Sequence, residues 1–145
     1  MDLEKAEQFE RAVRKDGRYP LDAFEFLHRG LELATRRKHK KTSRKGARHV
    51  SGQELALALR DLALRQWGPL AREVLRRWNI HRTRDFGEMV YFMIQQSWWG
   101  KQDTDDITDF DDVYDFRTAF DRYQIDTAPA DDDDGGSDEN EATEG

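Results

Sequence analysis

Apolar residues recur at helical intervals through short segments of this chain, and this periodicity constrains the fold more than any other feature. Residues 21–37 and 84–98 each carry apolar side chains three and four positions apart, which places those side chains along one face of an α-helix. Gly and Pro residues stand between several of the segments and end them. The sequence therefore predicts a mainly α fold, a compact bundle of five to six helices.

The predicted helices have start and stop signals. Ser51 and Glu54 have the spacing of a capping box, which starts one helix. That helix carries leucines on two nearly opposite faces, which predicts that it is the central one. Asn79 suits a left-handed turn, and Thr83 is the predicted cap of the next helix. A small β-hairpin near 98–110 is an alternative for the polar connection. The helices are expected at residues 2–15, 21–37, 51–67, 69–78, 84–98 and within 110–123.

The charge of the chain is segregated. Residues 1–102 carry 22 Lys and Arg against 13 Asp and Glu, a net +9, whereas residues 103–145 carry 2 against 17, a net −15. Residues 126–145 hold no aromatic or branched apolar side chain, so burial cannot offset their ordering entropy. The sequence predicts one helical domain over residues 1–125 and a disordered acidic tail over 126–145. This tail either lies on the basic body or repels an anionic partner.

A basic segment stands between the second and third predicted helices. Residues 38–50 are predicted as a loop, and the dense positive charge would attract phosphates. The loop contains no Phe, Trp or Tyr for base stacking. Two interpretations therefore remain, a nucleic-acid-binding segment and a solvated insertion. Counted from the last two residues of the second predicted helix, residues 36–48 contain eight cations and no acidic residue: Arg36, Arg37, Lys38, Lys40, Lys41, Arg44, Lys45 and Arg48.

Residues 69–98 could form a helix-turn-helix, with residues 84–98 in the recognition position and the 98–110 hairpin as a wing. Asp85 and Glu88 lie near the start of the candidate recognition helix, where contacts with bases would be made. The broad apolar stripe of that helix also favours packing in a bundle. We therefore expect bundle packing, with a winged-helix-like region as the alternative.

Trp98 and Trp99 adjoin Gly100 at the predicted end of the fifth helix. Neighbouring helical positions point about 100° apart, so the two side chains cannot share one core stripe. Tryptophan is enriched at binding hot spots, which makes this pair a candidate protein-binding surface. Packing against the C-terminal helix is the alternative.

Most motifs of catalysis and metal binding are missing. The chain has no Cys, which excludes disulfides and thiolate nucleophiles, and its four His lack metal-ligand spacing. No Gly-rich phosphate loop occurs, and the acidic stretch 103–116 lacks the Gly and Glu of an EF-hand loop. His49 and Ser51 are a conceivable nucleophile pair, but Ser51 already serves as a helix cap. We expect no enzyme activity, no cofactor and no metal.

The sequence also bears on location. No apolar run approaches the roughly 18 residues of a membrane span, and the N-terminus, MDLEKAEQFERAV, has no apolar signal-peptide core. We expect a cytoplasmic protein that does not enter a membrane.

Four stretches carry a resemblance: YPLDAFEFLHRGLE, RHVSGQELALALRDLALRQWGPLAREVLRRWNI, TRDFGEMVYFMI and DFDDVYDF. Together they resemble a family of small conserved proteins found chiefly in planctomycetes and verrucomicrobia, over roughly residues 19–120. The resemblance implies no particular activity and assigns no catalytic or binding residue. Asn79-Ile80 stands where the family pattern usually has Gly-Ile. Family members look similar without a long basic loop before Arg48, which implies that the loop is an embellishment of this chain.

These observations favour a non-enzymatic protein-binding or adaptor protein, with an unidentified protein partner, whose surface includes Trp98 and Trp99. The alternative is a nucleic-acid-associated protein that binds DNA or RNA through residues 36–48. A small enzyme acting through Asp, Glu or His49 is a third class, for which no motif fixes a geometry.

Overall fold

The computed structural model describes residues 3–41, 50–100 and 106–125. Within these ranges it contains two 3-10 turns, Gly68–Leu70 and Ile107–Phe110, and no β-strand. The predicted acidic tail and residues 42–49 of the predicted basic loop lie outside the described residues. The α-helices are α1 Leu3–Asp16, α2 Leu21–Lys41, α3 Gly52–Trp67, α4 Ala71–Arg77, α5 Thr83–Gln95 and α6 Phe116–Ile125. The prediction of a mainly α bundle is confirmed.

The helices α2 and α3 form the centre of the bundle. Lys38 lies opposite Glu54, and Gly30 lies against Leu59, so the two helices run antiparallel. A Cβ atom at Gly30 would lie 2.7 Å from Leu59 Cγ, and glycine therefore allows an approach that a side chain would block. Because α3 also contacts α4, α5 and α6, the prediction that it is the central helix is confirmed.

Helix α2 is longer than the apolar periodicity indicated. The predicted loop began at residue 38, but the helix continues to Lys41, so residues 38–41 are helical. Two ion pairs hold the end of α2 to α3: Arg37 with Asp61 at 3.0 Å and Lys38, the first residue of the extension, with Glu54 at 2.8 Å. Such contacts between helices are invisible to a search for apolar spacing along one helix.

The second 3-10 turn, Ile107–Phe110, packs on the start of α5. The Thr83 hydroxyl donates a hydrogen bond to the Phe110 carbonyl at 2.6 Å and accepts one from Val113 N–H at 3.1 Å. Thr83 is therefore a buried link and not the predicted cap. Asp85 caps α5 instead, because its Oδ2 accepts the N–H of the two residues before Thr83, at 2.8 and 3.2 Å. Of the region near 98–110 that was predicted as a possible hairpin, residues 98–100 and 106–110 contain no strand, and residues 101–105 lie outside the described residues.

The outer helices are attached through aromatic side chains. In α1 the buried residues are Phe9 and Val13, as expected for a peripheral helix with a thin apolar stripe. Trp67 and Trp78 meet edge to face at 5.4 Å beside Phe26. A regular helix over the predicted range 69–78 would turn Leu70 inward, but its side chain is 64% exposed because it lies in the first 3-10 turn and not in α4.

Non-glycine residues in the left-handed conformation follow two of the α-helices. Asn79 has φ 66° after α4, which confirms the predicted turn, and Ser97 has φ 65° after α5. Among the helices in the described ranges, none combines the length and the apolar character needed to cross a membrane.

Candidate functional site

A groove of about 400 Å³ opens between α2, the start of α3, the end of α5 and the second 3-10 turn. Two of its walls follow from helical spacing. Leu31 and Thr35 lie one turn apart on α2, and they face Val90 and Ile94, which lie one turn apart on α5. The remaining apolar and aromatic lining residues are Val50, Leu55, Tyr91, Trp98, Trp99 and Phe110. The groove is therefore mainly apolar, and both predicted tryptophans lie in it.

The turn after α5 places the two tryptophans. Ser97 N–H bonds to the Ile94 carbonyl at 3.0 Å, and Trp98 N–H bonds to the Met93 carbonyl at 2.9 Å. This pair of bonds is a Schellman motif, in which Ser97 occupies the left-handed position that Gly usually holds. The helix ends at Gln95, so Trp98 and Trp99 do not continue along the helix axis. The predicted helix end at Trp98 was wrong because Ser gives no signal for this conformation.

The two tryptophans have different neighbours. The Trp98 ring lies 5.1 Å from the Phe9 ring of α1, and Lys5 Nζ lies 5.4 Å from its centroid. The Trp99 ring lies 6.3 Å from the His28 ring of α2. Both side chains are half-buried. These neighbours belong to α1 and α2, so the alternative of packing against the C-terminal helix finds no support in these contacts.

The groove carries negative charge at one edge. Asp106 and Asp109 line it, and no Lys, Arg or His is among its lining residues in the described part of the chain. Asp106 Oδ1 accepts Thr108 N–H at 2.9 Å and so caps the 3-10 turn. Asp109 packs on α3, since a Cβ atom at Gly52 would lie 2.9 Å from its Cβ. Its half-buried carboxylate makes no ion pair or side-chain hydrogen bond with the described residues. The sequence analysis did not single out Asp109 because Asp is abundant around it.

Ser51 at the groove edge is committed to the capping box. Its Oγ accepts Glu54 N–H at 3.1 Å, and Glu54 Oε1 accepts Ser51 N–H at 2.9 Å. Burial alone would raise the pKa of Glu54, but the Lys38 ammonium and the Ser51 N–H hold that pKa below its usual range. The predicted cap is therefore confirmed. His49, the other member of the conceivable nucleophile pair, lies outside the described residues.

Two of the basic residues near the end of α2 are neutralised by α3. Arg37 and Lys38 pair with carboxylates of that helix, as described above. Arg36 and Lys40 are exposed and make no ion pair with the described residues. Lys41 ends the helix, and the other predicted cations, Arg44, Lys45 and Arg48, lie outside the described residues.

Helix α5 does not present an open face. Of its residues only Gln95 is exposed, and Gly87 packs on Phe110, whose Cδ2 would lie 2.8 Å from a Cβ atom there. Arg84 pairs with Asp111 at 2.9 Å and with Glu88 at 3.3 Å. A recognition helix needs exposed side chains that reach base edges, so this burial favours bundle packing for residues 69–98.

Comparisons with protein-family models, with curated proteins and with solved structures find no match. The resemblance drawn from the sequence stays a prediction.

Proposed function

We propose that this chain is a non-enzymatic protein-binding or adaptor protein, and that it holds its partner at the groove lined by Trp98 and Trp99. The observation that carries the proposal is the half-burial of both tryptophans in one mainly apolar groove. A tryptophan that is packed against the protein on one side and accessible on the other offers a large apolar contact area. Its side chain loses little conformational entropy on binding, as is typical of binding hot spots.

Two polar groups of the groove support binding over catalysis. Ser51 and Asp106, the obvious nucleophile and acid–base candidates, are each engaged in capping a helix or turn. A protein partner would bury the apolar wall and leave these caps unchanged. Such a surface gains affinity chiefly from apolar burial around a few central side chains.

Photo-crosslinking tests the proposal. A benzoylphenylalanine at Thr35 in the groove should give discrete cross-linked products in the native cell extract, whereas one at the exposed Gln66 should not. Trp99→Ala should remove the products, and Leu70→Ala, at an exposed apolar residue outside the groove lining, should leave them. Loss on Leu70→Ala alone, or equal products from Thr35 and Gln66, would contradict the proposal.

A second function, nucleic-acid association, is favoured by one observation. Because α2 continues to Lys41, Arg36 and Lys40 lie one turn apart on an exposed helical face. Each phosphate contact should add about 0.9 to the log–log salt slope of binding to duplex DNA. Replacing both cations by Gln should lower that slope by about two. The pair Arg11 and Lys15, equally spaced and exposed on α1, is the matched control.

A further inference from the structure

The charge of the groove is opposite in sign to that of the segment beside it. Thr35 in the groove wall is followed directly by the basic end of α2, yet the described lining contains two carboxylates and no cation. Among the described lining residues, a cationic group entering the groove would meet carboxylates and neutral side chains. An anionic group would meet Asp106 and Asp109 in a partly apolar setting, where like-charge repulsion is stronger than in water.

Asp109 is the better placed of the two carboxylates. Asp106 is exposed and already accepts two hydrogen bonds from Thr108, at 2.9 and 2.8 Å. Asp109 is half-buried against Gly52 and has no cation as a partner in the described part of the chain. The neighbouring Phe110 is buried, so the backbone that carries Asp109 is held firmly. A cation that reaches Asp109 would therefore pair with a carboxylate that is already positioned and partly desolvated.

The volume of the groove limits what enters it. About 400 Å³ lies at the small end of the range for ligand pockets, so the space takes one or two large side chains and not the face of a long helix. The described residues contain no strand, which leaves no sheet edge for main-chain pairing. Recognition must then come from side chains of the partner.

We propose that the groove recognises a short peptide segment of a partner protein in which a bulky apolar side chain stands close to a lysine or arginine. The apolar side chain packs against Ile94 and Trp99, and the cation pairs with Asp109 at the acidic edge. This inference rests on the proposed function and specifies the chemistry of the partner.

Peptide selection on the immobilised full-length chain tests the proposal with random short peptides as the probe. Enriched sequences should combine Leu, Phe or Trp with a nearby Lys or Arg. Calorimetry with the most enriched peptide should show about fivefold weaker binding to Asp109→Asn at low salt, with the difference shrinking at high salt. Asp112→Asn is the matched control, because Asp112 is exposed, does not line the groove and has φ 52°, which Asn tolerates.

The outcomes separate the two proposals. The proposed specificity for an apolar and a cationic side chain would be overturned if the enriched peptides were apolar and contained no cation, or if no sequence were enriched. It would also be overturned if Asp109→Asn and Asp112→Asn weakened binding equally. The groove function would still stand if the Thr35 cross-links were found and depended on Trp99. Peptide binding that is unchanged by both Trp99→Ala and Trp99→Phe would overturn the groove itself. Matching thermal unfolding midpoints for Trp99→Phe and the unsubstituted chain would show that the fold is intact.

Discussion

The hydroxyl of Thr83 and the carbonyl of Phe110 are joined by a 2.6 Å hydrogen bond in the protein interior, between residues 27 positions apart. This bond ties the second 3-10 turn to the first residue of α5. Because Phe110 and the preceding Asp109 line the groove, the bond also fixes the acidic edge of the candidate site. A single buried hydroxyl thus connects the stability of the fold to the shape of the groove.

Thr83→Val should lower the free energy of unfolding by about 1–3 kcal/mol, because it leaves the Phe110 carbonyl and the Val113 N–H without their partner. Urea denaturation measures this loss. Thr118→Val is the control, since its hydroxyl bonds to the Asp115 carbonyl on an exposed part of the chain where water can replace it. A loss at Thr118 as large as that at Thr83 would contradict the structure.

Gly30→Ala should destabilise the protein although Ala favours helices. The new Cβ atom would lie 2.7 Å from Cγ of the fully buried Leu59, and overpacking of this kind costs about 1–3 kcal/mol. The gain of up to about 1 kcal/mol in helix propensity is smaller. Gly100→Ala is the control, because no atom beyond the adjacent residues lies within 4 Å of the added carbon there. Unfolding midpoints for both variants should show a clear drop only at Gly30.

Ser97→Gly should raise the free energy of unfolding by up to about 1 kcal/mol, because Ser97 has φ 65° and glycine adopts that conformation without steric cost. Gln95→Gly should have the opposite sign and cost about 0.5–1 kcal/mol, since Gln95 is an exposed residue in the helix itself. Thermal denaturation of the two variants gives the comparison. Destabilisation by both substitutions would show that the turn before Trp98 is not left-handed.

The Glu54 carboxylate should make stability fall in acid. Its pKa is lowered in the folded state, chiefly because the Lys38 and Ser51 hydrogen bonds outweigh the opposing effect of burial. A depressed folded-state pKa contributes stability that is present above the ordinary value of 4.5 and is lost as the pH falls below it. Glu54→Gln should therefore flatten the acid limb of a stability–pH curve, and Lys38→Gln should flatten it in part. An unchanged curve in both variants would contradict the ion pair.

Helix α1 should open before the rest of the bundle. Its buried side chains are Phe9 and Val13, so little apolar area is exposed when it detaches. Hydrogen exchange should be faster in α1 than in α3, and Phe9→Ala should speed exchange in α1 while leaving α3 nearly unchanged. Equal acceleration in both helices would mean that α1 is part of the cooperative core.

The extent of sequence-based prediction differs between the helices and the groove. The capping box at Ser51 and the left-handed Asn79 were predicted correctly because each depends on contacts within a few residues. Thr83 was misassigned as a cap, since its partner lies 27 residues away. Trp98 and Trp99 were both singled out, but the facing wall of Leu31 and Thr35 was not, because nothing in the periodicity of α2 says which helix it meets.

By itself the sequence determined that the chain forms a mainly α bundle and, within a few residues, where most of its helices lie, because helix formation depends on local periodicity, caps and breakers. Only the tertiary structure decided that α2 extends to Lys41, that Ser97 turns the chain, and that Asp109 faces the groove with the tryptophans. Those outcomes depend on contacts between distant segments, and their energies become available only when the helices pack.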